Sequence, residues 1–318
     1  MEIVKIEGLN PLEYEHPLDK RALDTLQKTP GLDFFVNKFY ELGLSKLLQL
    51  QLVGSSVKVT PSSLPNIYEV LEDVCETLNL KATPELYVCC DRSLIGQSSD
   101  FQGITVGVDH PLVIISTECI DSLSRRELLF VLGCEIGRIK SQHIFYNEIA
   151  ALLPIVSELV TSAVAVDFTK PMTSGLGFAL LQWSRWSGFT LDRAGLLACQ
   201  DLTVAMKVMA KMAGLPRKYF DSFNIDDFVI QAREYEGFGD TTYTKILKMF
   251  NLMSKDQSFI ISRASELLKW TDSGEYQEVL ERQTKIKPAL PANFCRHCGF
   301  KLEFSNTFCP SCGQKVST

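Results

Sequence analysis

Two stretches of this chain carry side chains whose spacing could do chemistry. The first is Cys295-Arg-His-Cys298-Gly299 followed by Cys309-Pro-Ser-Cys312-Gly313, two Cys-x-x-Cys-Gly knuckles separated by ten residues. Four thiolates at this spacing can close a tetrahedral zinc site, and the glycine after each second cysteine lets the backbone turn its N–H toward sulfur. Such a site has no open coordination position, so one structural zinc per chain is expected. In a segment of about 25 residues it would also supply the folding energy. His297 is surplus to the four ligands. The second stretch is Cys134-Glu135-Ile136-Gly137-Arg138, inside Arg126–His143. Two histidines four residues apart fall on one helix face and can share a zinc, while a glutamate after the first polarises the metal-bound water. Here the glutamate is present, and cysteine and arginine stand in the histidine places.

The element that must position Glu135 is a helix. Leu128, Leu129, Val131, Leu132, Ile136 and Ile139 recur at helical spacing without an intervening proline, and Ser124 with Glu127 three residues on offers a capping box. Upstream, residues 1–45 read as a pair of amphipathic helices split by Pro30 and Gly31. Gln49 to Thr60 reads as a β-hairpin around Val53-Gly-Ser-Ser-Val57, and Pro61 to Leu80 as a helix. Leu86–Cys90, Ile104–Val108 and Leu112–Ser116 are β-like runs that stand before the central helix. That order predicts a mostly helical α+β fold with a small sheet. After the central helix, helices are expected from about Gly188 to Gly214 and over 224–236, 240–253 and 259–272. Residues 282–293, with Pro288 and Pro291, read as a linker. The predicted division is 1–60 for N-terminal helices and hairpin, 61–281 for the main domain, 282–293 for the linker and 294–318 for the zinc ribbon.

Composition narrows the function. The net charge of −6 argues against nucleic acid as partner. Met1 to Pro17 is charged and lacks the apolar core of a signal peptide, which predicts a cytoplasmic protein. Residues 150–183 contain two apolar runs, the first interrupted by Pro154, Glu158 and Asp167, so a buried or membrane-touching hairpin is expected rather than a span. Cys75, Cys89, Cys90, Cys119, Cys134 and Cys199 read as small buried hydrophobes, and Met206, Met209, Met212, Met249 and Met253 as core filling.

Residues 60–273 resemble the zinc metallopeptidases of the HtpX and CAAX-prenyl-protease type, which are gluzincins with a zincin-like fold. Glu127-Leu128, Val131-Leu132, Glu135, Gly137 and His143 follow that family's E-L-x-x-V-L-x-H-E-x-G-H-x-x-x-x-H line. Ser187 to Ala194 follows its E-F-x-A-D-x-x-A line, Asp256-Gln257-Ser258 with Arg263 its H-P-x-x-x-x-R element, and Ile104-Thr-Val-Gly107 its substrate-receiving N-A-F-x-x-G edge. The resemblance implies that Cys134, Arg138 and Gly188 stand at the three zinc-ligand positions, with Gln257 for the late histidine and Gln102 for the edge asparagine. Glu135, Asp192, His143 and Arg263 survive as remnants.

Chemistry makes these losses decisive. Arginine remains protonated and has no lone pair to give, glycine has no side chain, and one thiolate beside a guanidinium does not hold catalytic zinc. The Arg138 guanidinium is expected to take the metal's place beside Glu135 and Asp192. A Cys134–His143 cysteine-peptidase dyad is rejected, because nine helical residues put the two on opposite faces, roughly 13 Å apart along the axis. The resulting expectation is a catalytically inactive peptidase-like scaffold that binds a protein partner. The alternatives are an active metalloendopeptidase with unusual ligands and a membrane-associated adaptor that touches lipid through 150–183.

Overall fold

The computed structural model describes residues 3–41, 43–90, 101, 103–150, 169–237 and 259–281. The linker, the ribbon cysteines, Gln102, Gln257, Met249 and Met253, and the 240–253 helix lie outside the described residues.

A four-stranded mixed sheet and the central helix form the frame. Strands β1 (Val57–Val59), β2 (Glu85–Cys89), β3 (Gly103–Val106) and β4 (Leu112–Ser116) lie in the order β1-β2-β4-β3, with β2 parallel to β4 and the other pairs antiparallel. Leu86, Val113 and Thr105 are in register across β2, β4 and β3, so they share one face. The alternate residues Tyr87, Cys89, Leu112, Ile114 and Val106 form the other face and pack on Leu52. The Gln49–Thr60 hairpin does not form. Residues Leu44–Gly54 are a helix, α3, following α1 (Pro17–Gln27) and α2 (Leu32–Glu41), and β1 comes after it and pairs with β2. Leu44, Leu48 and Leu52 recur at helical spacing, and burying that stripe outweighs the turn signal of Gly54-Ser55-Ser56.

Helices α4 (Pro65–Thr77) and α5 (Thr117–Ser122) precede the central helix α6 (Arg125–Lys140). Ser124 Oγ accepts from the Glu127 N–H while the Glu127 carboxylate accepts from the Ser124 N–H at 2.8 Å, so the capping box is complete. Every residue from Glu127 to Gly137 is buried. The helix stops at Lys140, because Gln142 takes a left-handed conformation at φ 59°, so the helix is shorter than the predicted run to His143.

Helix α7 (Thr169–Cys199) lies along α6, and glycines set the distance between them. A Cβ on Gly137 would stand 2.4 Å from the Ala194 Cβ, and one on Gly195 2.8 Å from the Phe130 carbonyl oxygen and 2.7 Å from Cys134 Sγ. The Gly137→Ala variant should therefore lose about 1–3 kcal/mol of unfolding free energy in urea denaturation through overpacking. It should do so although alanine gains up to about 1 kcal/mol of helix propensity. The predicted helix from Gly188 to Gly214 is replaced by the end of α7 and a separate α8 (Leu202–Met212). The break falls at Gln200, at φ 49°, and Asp201 accepts from the Val204 N–H to cap α8. Helices α9 (Ile225–Gly237), α10 (Ile260–Asp272) and α11 (Glu275–Glu281) complete the described chain.

One cluster joins the sheet, α4, α6, α7, α8 and α10 and takes in Ile6, Leu9 and Tyr14 from the N-terminus. Met206, Met209 and Met212 fill it. A second gathers Leu26, Phe35, Phe39, Leu44, Tyr146, Leu180 and Trp183. Cys75, Cys89, Cys119, Cys134 and Cys199 are buried, whereas Cys90 is exposed at the end of β2, where the strand leaves the sheet. No helix among the described residues is long and apolar enough to cross a membrane. Residues 169–183 of the 150–183 stretch are the first turns of α7, and 151–168 lie outside the described residues.

Candidate functional site

Glu135 sits at the middle of α6, where the helix passes under β3. It is 3% exposed. The Thr105 hydroxyl donates to Glu135 Oε2 at 2.7 Å, from the inward face of β3. Gly103, on that same strand face, gives the carboxylate its room, since a Cβ there would stand 2.8 Å from the Glu135 Cγ. Arg138, one turn on, returns to Glu135 with two donors: Nε to Oε2 at 3.1 Å and Nη2 to Oε1 at 3.4 Å. Its side chain is 15% exposed, so the guanidinium lies over the carboxylate rather than in solvent.

A second pair stands beside the first. Asp192 on α7 is 1% exposed, and Arg263 on α10 forks onto it, Nε to Oδ2 at 2.8 Å and Nη2 to Oδ1 at 2.6 Å. Burial pushes the Asp192 carboxyl above its ordinary value, and the Arg263 fork opposes that push. Between the two pairs lies Cys134, also buried. Burial foremost, then the Asp192 charge, raises its thiol well above the usual range, despite Arg263 and Arg138. The raised thiol makes Cys134 a poor nucleophile toward a carbonyl.

Gly188 is partly exposed on α7. A Cβ built there meets one atom within 4 Å, Arg263 Nε at 3.8 Å. The position that the resemblance assigns to the third ligand thus opens onto the Arg263 guanidinium. The residues present do not fit a catalytic zinc. Two guanidinia occupy the neighbourhood, and no group of three His, Cys, Asp or Glu side chains among the described residues is arranged for a metal.

His143 is brought elsewhere. Because α6 ends at Lys140, the ring leaves the helix and lies edge-on to Trp183, with Nε2 3.3 Å from Asp19 Oδ2. The Cys134–His143 dyad therefore fails for a different reason from the helical-wheel one: His143 has left the helix and has a carboxylate of its own. Burial first, then the Arg138 charge, lowers its pKa to about 3, so it is neutral. Asp19 is fully buried on α1, is pushed up to about 6 by burial, and accepts from Thr190 Oγ1 at 2.5 Å. Nothing in the sequence singled out Asp19, which lies outside the stretch resembling the peptidases. Thr105 was legible only as the inward polar residue of an alternating strand.

The sequence profile of Peptidase family M48 matches residues 61–269. Among curated proteins, the chain is 28% identical over 281 residues to the plastoglobule-localized metallopeptidase 48, chloroplastic, of Arabidopsis thaliana, covering 88% of this chain and 78% of that one. No solved structure matches. The profile spans about two thirds of the chain, from α4 through β2, β3, β4, α6 and α7 to most of α10, and this chain therefore belongs to peptidase family M48.

Proposed function

We propose that this M48 chain is a pseudopeptidase, which binds a protein segment without cleaving it and holds zinc only structurally, through Cys295, Cys298, Cys309 and Cys312. The observation that carries the reading is the Arg138 fork on Glu135. In a working site that glutamate faces metal-bound water, with lone pairs free to take its proton. Here three hydrogen bonds engage them, one from Thr105 and two from Arg138. The four ribbon thiolates fit structural zinc by the chemistry of the donor set. A protein partner suits both the retained peptidase frame and the ribbon, and the net charge of −6 disfavours nucleic acid.

Metal content separates this reading from an active metalloendopeptidase with unusual ligands. One zinc per chain is expected, lost in Cys295→Ser or Cys309→Ser and kept in Cys134→Ser, with no casein cleavage. Two metals per chain together with chelator-sensitive cleavage would overturn the proposal. A cytoplasmic location with peripheral lipid contact is a second reading. It is favoured by the apolar residues that follow Ala150 and by a relative whose name places that protein at plastoglobules. Flotation of the purified chain with liposomes tests it.

A further inference from the structure

The two arginines at the centre of the site have donors to spare. A guanidinium carries five N–H groups in a planar fork. Arg138 and Arg263 each spend Nε and Nη2 on one carboxylate, and Nη1 of each has no hydrogen-bond partner among the described residues. Each arginine side chain is 15% exposed. The two pairs form one electrostatic neighbourhood, since Arg138 acts on Asp192, Arg263 on Glu135, and both act on Cys134. Beside them Gly188 leaves an opening that is partly exposed and borders Arg263 at 3.8 Å from a built Cβ.

The geometry points to a carboxylate-binding site in the space left by Gly188, where the Nη1 edge of Arg263, with Arg138 in the same electrostatic neighbourhood, receives a carboxylate carried by a peptide. Glu135 and Asp192 are already neutralised by their own arginines, so an incoming carboxylate meets paired guanidinia rather than bare negative charge. Charge-assisted hydrogen bonds from arginine to carboxylate are among the stronger polar contacts, and the planar fork favours a planar acid. The resemblance assigns the Gly188 position to a glutamate ligand. The inference is that a carboxylate supplied by another molecule fills the corresponding volume here. That the carrier is a peptide rests on the pseudopeptidase reading.

Both the C-terminal carboxylate of a peptide and an internal Asp or Glu present this chemistry, and three random hexapeptide libraries distinguish them. One lacks Asp and Glu and ends in a free acid, a second lacks them and ends in an amide, and a third ends in an amide with one fixed Glu. Retention on the immobilised full-length chain is read by mass spectrometry. Either acid-bearing library should be retained at least tenfold better than the acid-free amide. Gly188→Glu should abolish that preference by filling the space with its own carboxylate, while Gly188→Ala keeps it. Both variants replace a helical glycine where a Cβ has room, so both should fold at least as stably as the parent. Equal retention of the three libraries, or an acid preference that survives in Gly188→Glu, overturns the inference. A second metal with chelator-sensitive cleavage would overturn the pseudopeptidase reading instead. Absent acid preference with one zinc per chain fells only the carboxylate site.

Discussion

Arg263→Leu should lose about 3–5 kcal/mol of unfolding free energy, because it leaves Asp192 ionised in the core without its partner. Asp192 is 1% exposed and takes both of its short hydrogen bonds from this one guanidinium. Removing either member of a buried pair costs far more than the pair contributes net, since the survivor keeps its desolvation penalty. The double variant Asp192→Leu with Arg263→Leu should therefore recover much of the loss, and urea denaturation of the four proteins measures the coupling. The pH dependence has a definite sign. Burial already raises the Asp192 carboxyl, and without Arg263 only the Arg138 charge still opposes that rise. A group whose folded pKa lies above its unfolded value binds more protons when folded, so its stability is present at low pH and lost as pH rises. Arg263→Leu should accordingly gain stability relative to the parent as pH falls from neutral. A loss under about 1 kcal/mol at neutral pH would show that the pair is a surface-like contact.

Rebuilding the three ligand positions together, Cys134→His, Arg138→His and Gly188→Glu, should raise the zinc content from one to two per chain. Each change removes a specific obstacle. Histidine at 134 replaces a thiol, whose thiolate burial disfavours, with a lone-pair donor that is neutral at pH 7. Histidine at 138 lifts the guanidinium off Glu135 and ends its repulsion of a cation. Glutamate at 188 adds the missing carboxylate at a position where a Cβ meets only Arg263 Nε, at 3.8 Å. Each single variant should remain at one zinc, because one ligand does not make a site. The readout is zinc per chain by atomic emission after exhaustive dialysis; in a Cys295→Ser background, which lacks the ribbon zinc, the same rebuilding should raise the content from zero to one. A triple variant that still holds no added zinc would mean that the frame, and not the ligand set alone, has changed.

The central helix was legible because local signals agreed: Ser124 and Glu127 box its start, and its apolar residues repeat at helical spacing. The three sheet strands before it were legible for the same kind of reason. The region around Gln49 was misread, since Gly54-Ser55-Ser56 looks like a turn whether a strand or a helix precedes it. Only the sheet face that Leu52 covers decides between them. The end of α7 was misplaced because its stop lies in the left-handed conformation of Gln200, which no residue type announces.

For the site, the amino-acid sequence by itself determined what two positions cannot do: Arg138 has no lone pair to give and Gly188 has no side chain, so neither ligates zinc wherever the fold places it. What surrounds Glu135 and Asp192 was decided by tertiary structure. Arg138 reaches Glu135 from its own helix, but Thr105 comes from β3 and Arg263 from α10, elements joined only by folding. Asp19, far away on α1, takes His143 out of the reckoning altogether. Hydrogen bonds across such separations depend on where burial places each backbone, and no local spacing in the chain encodes that.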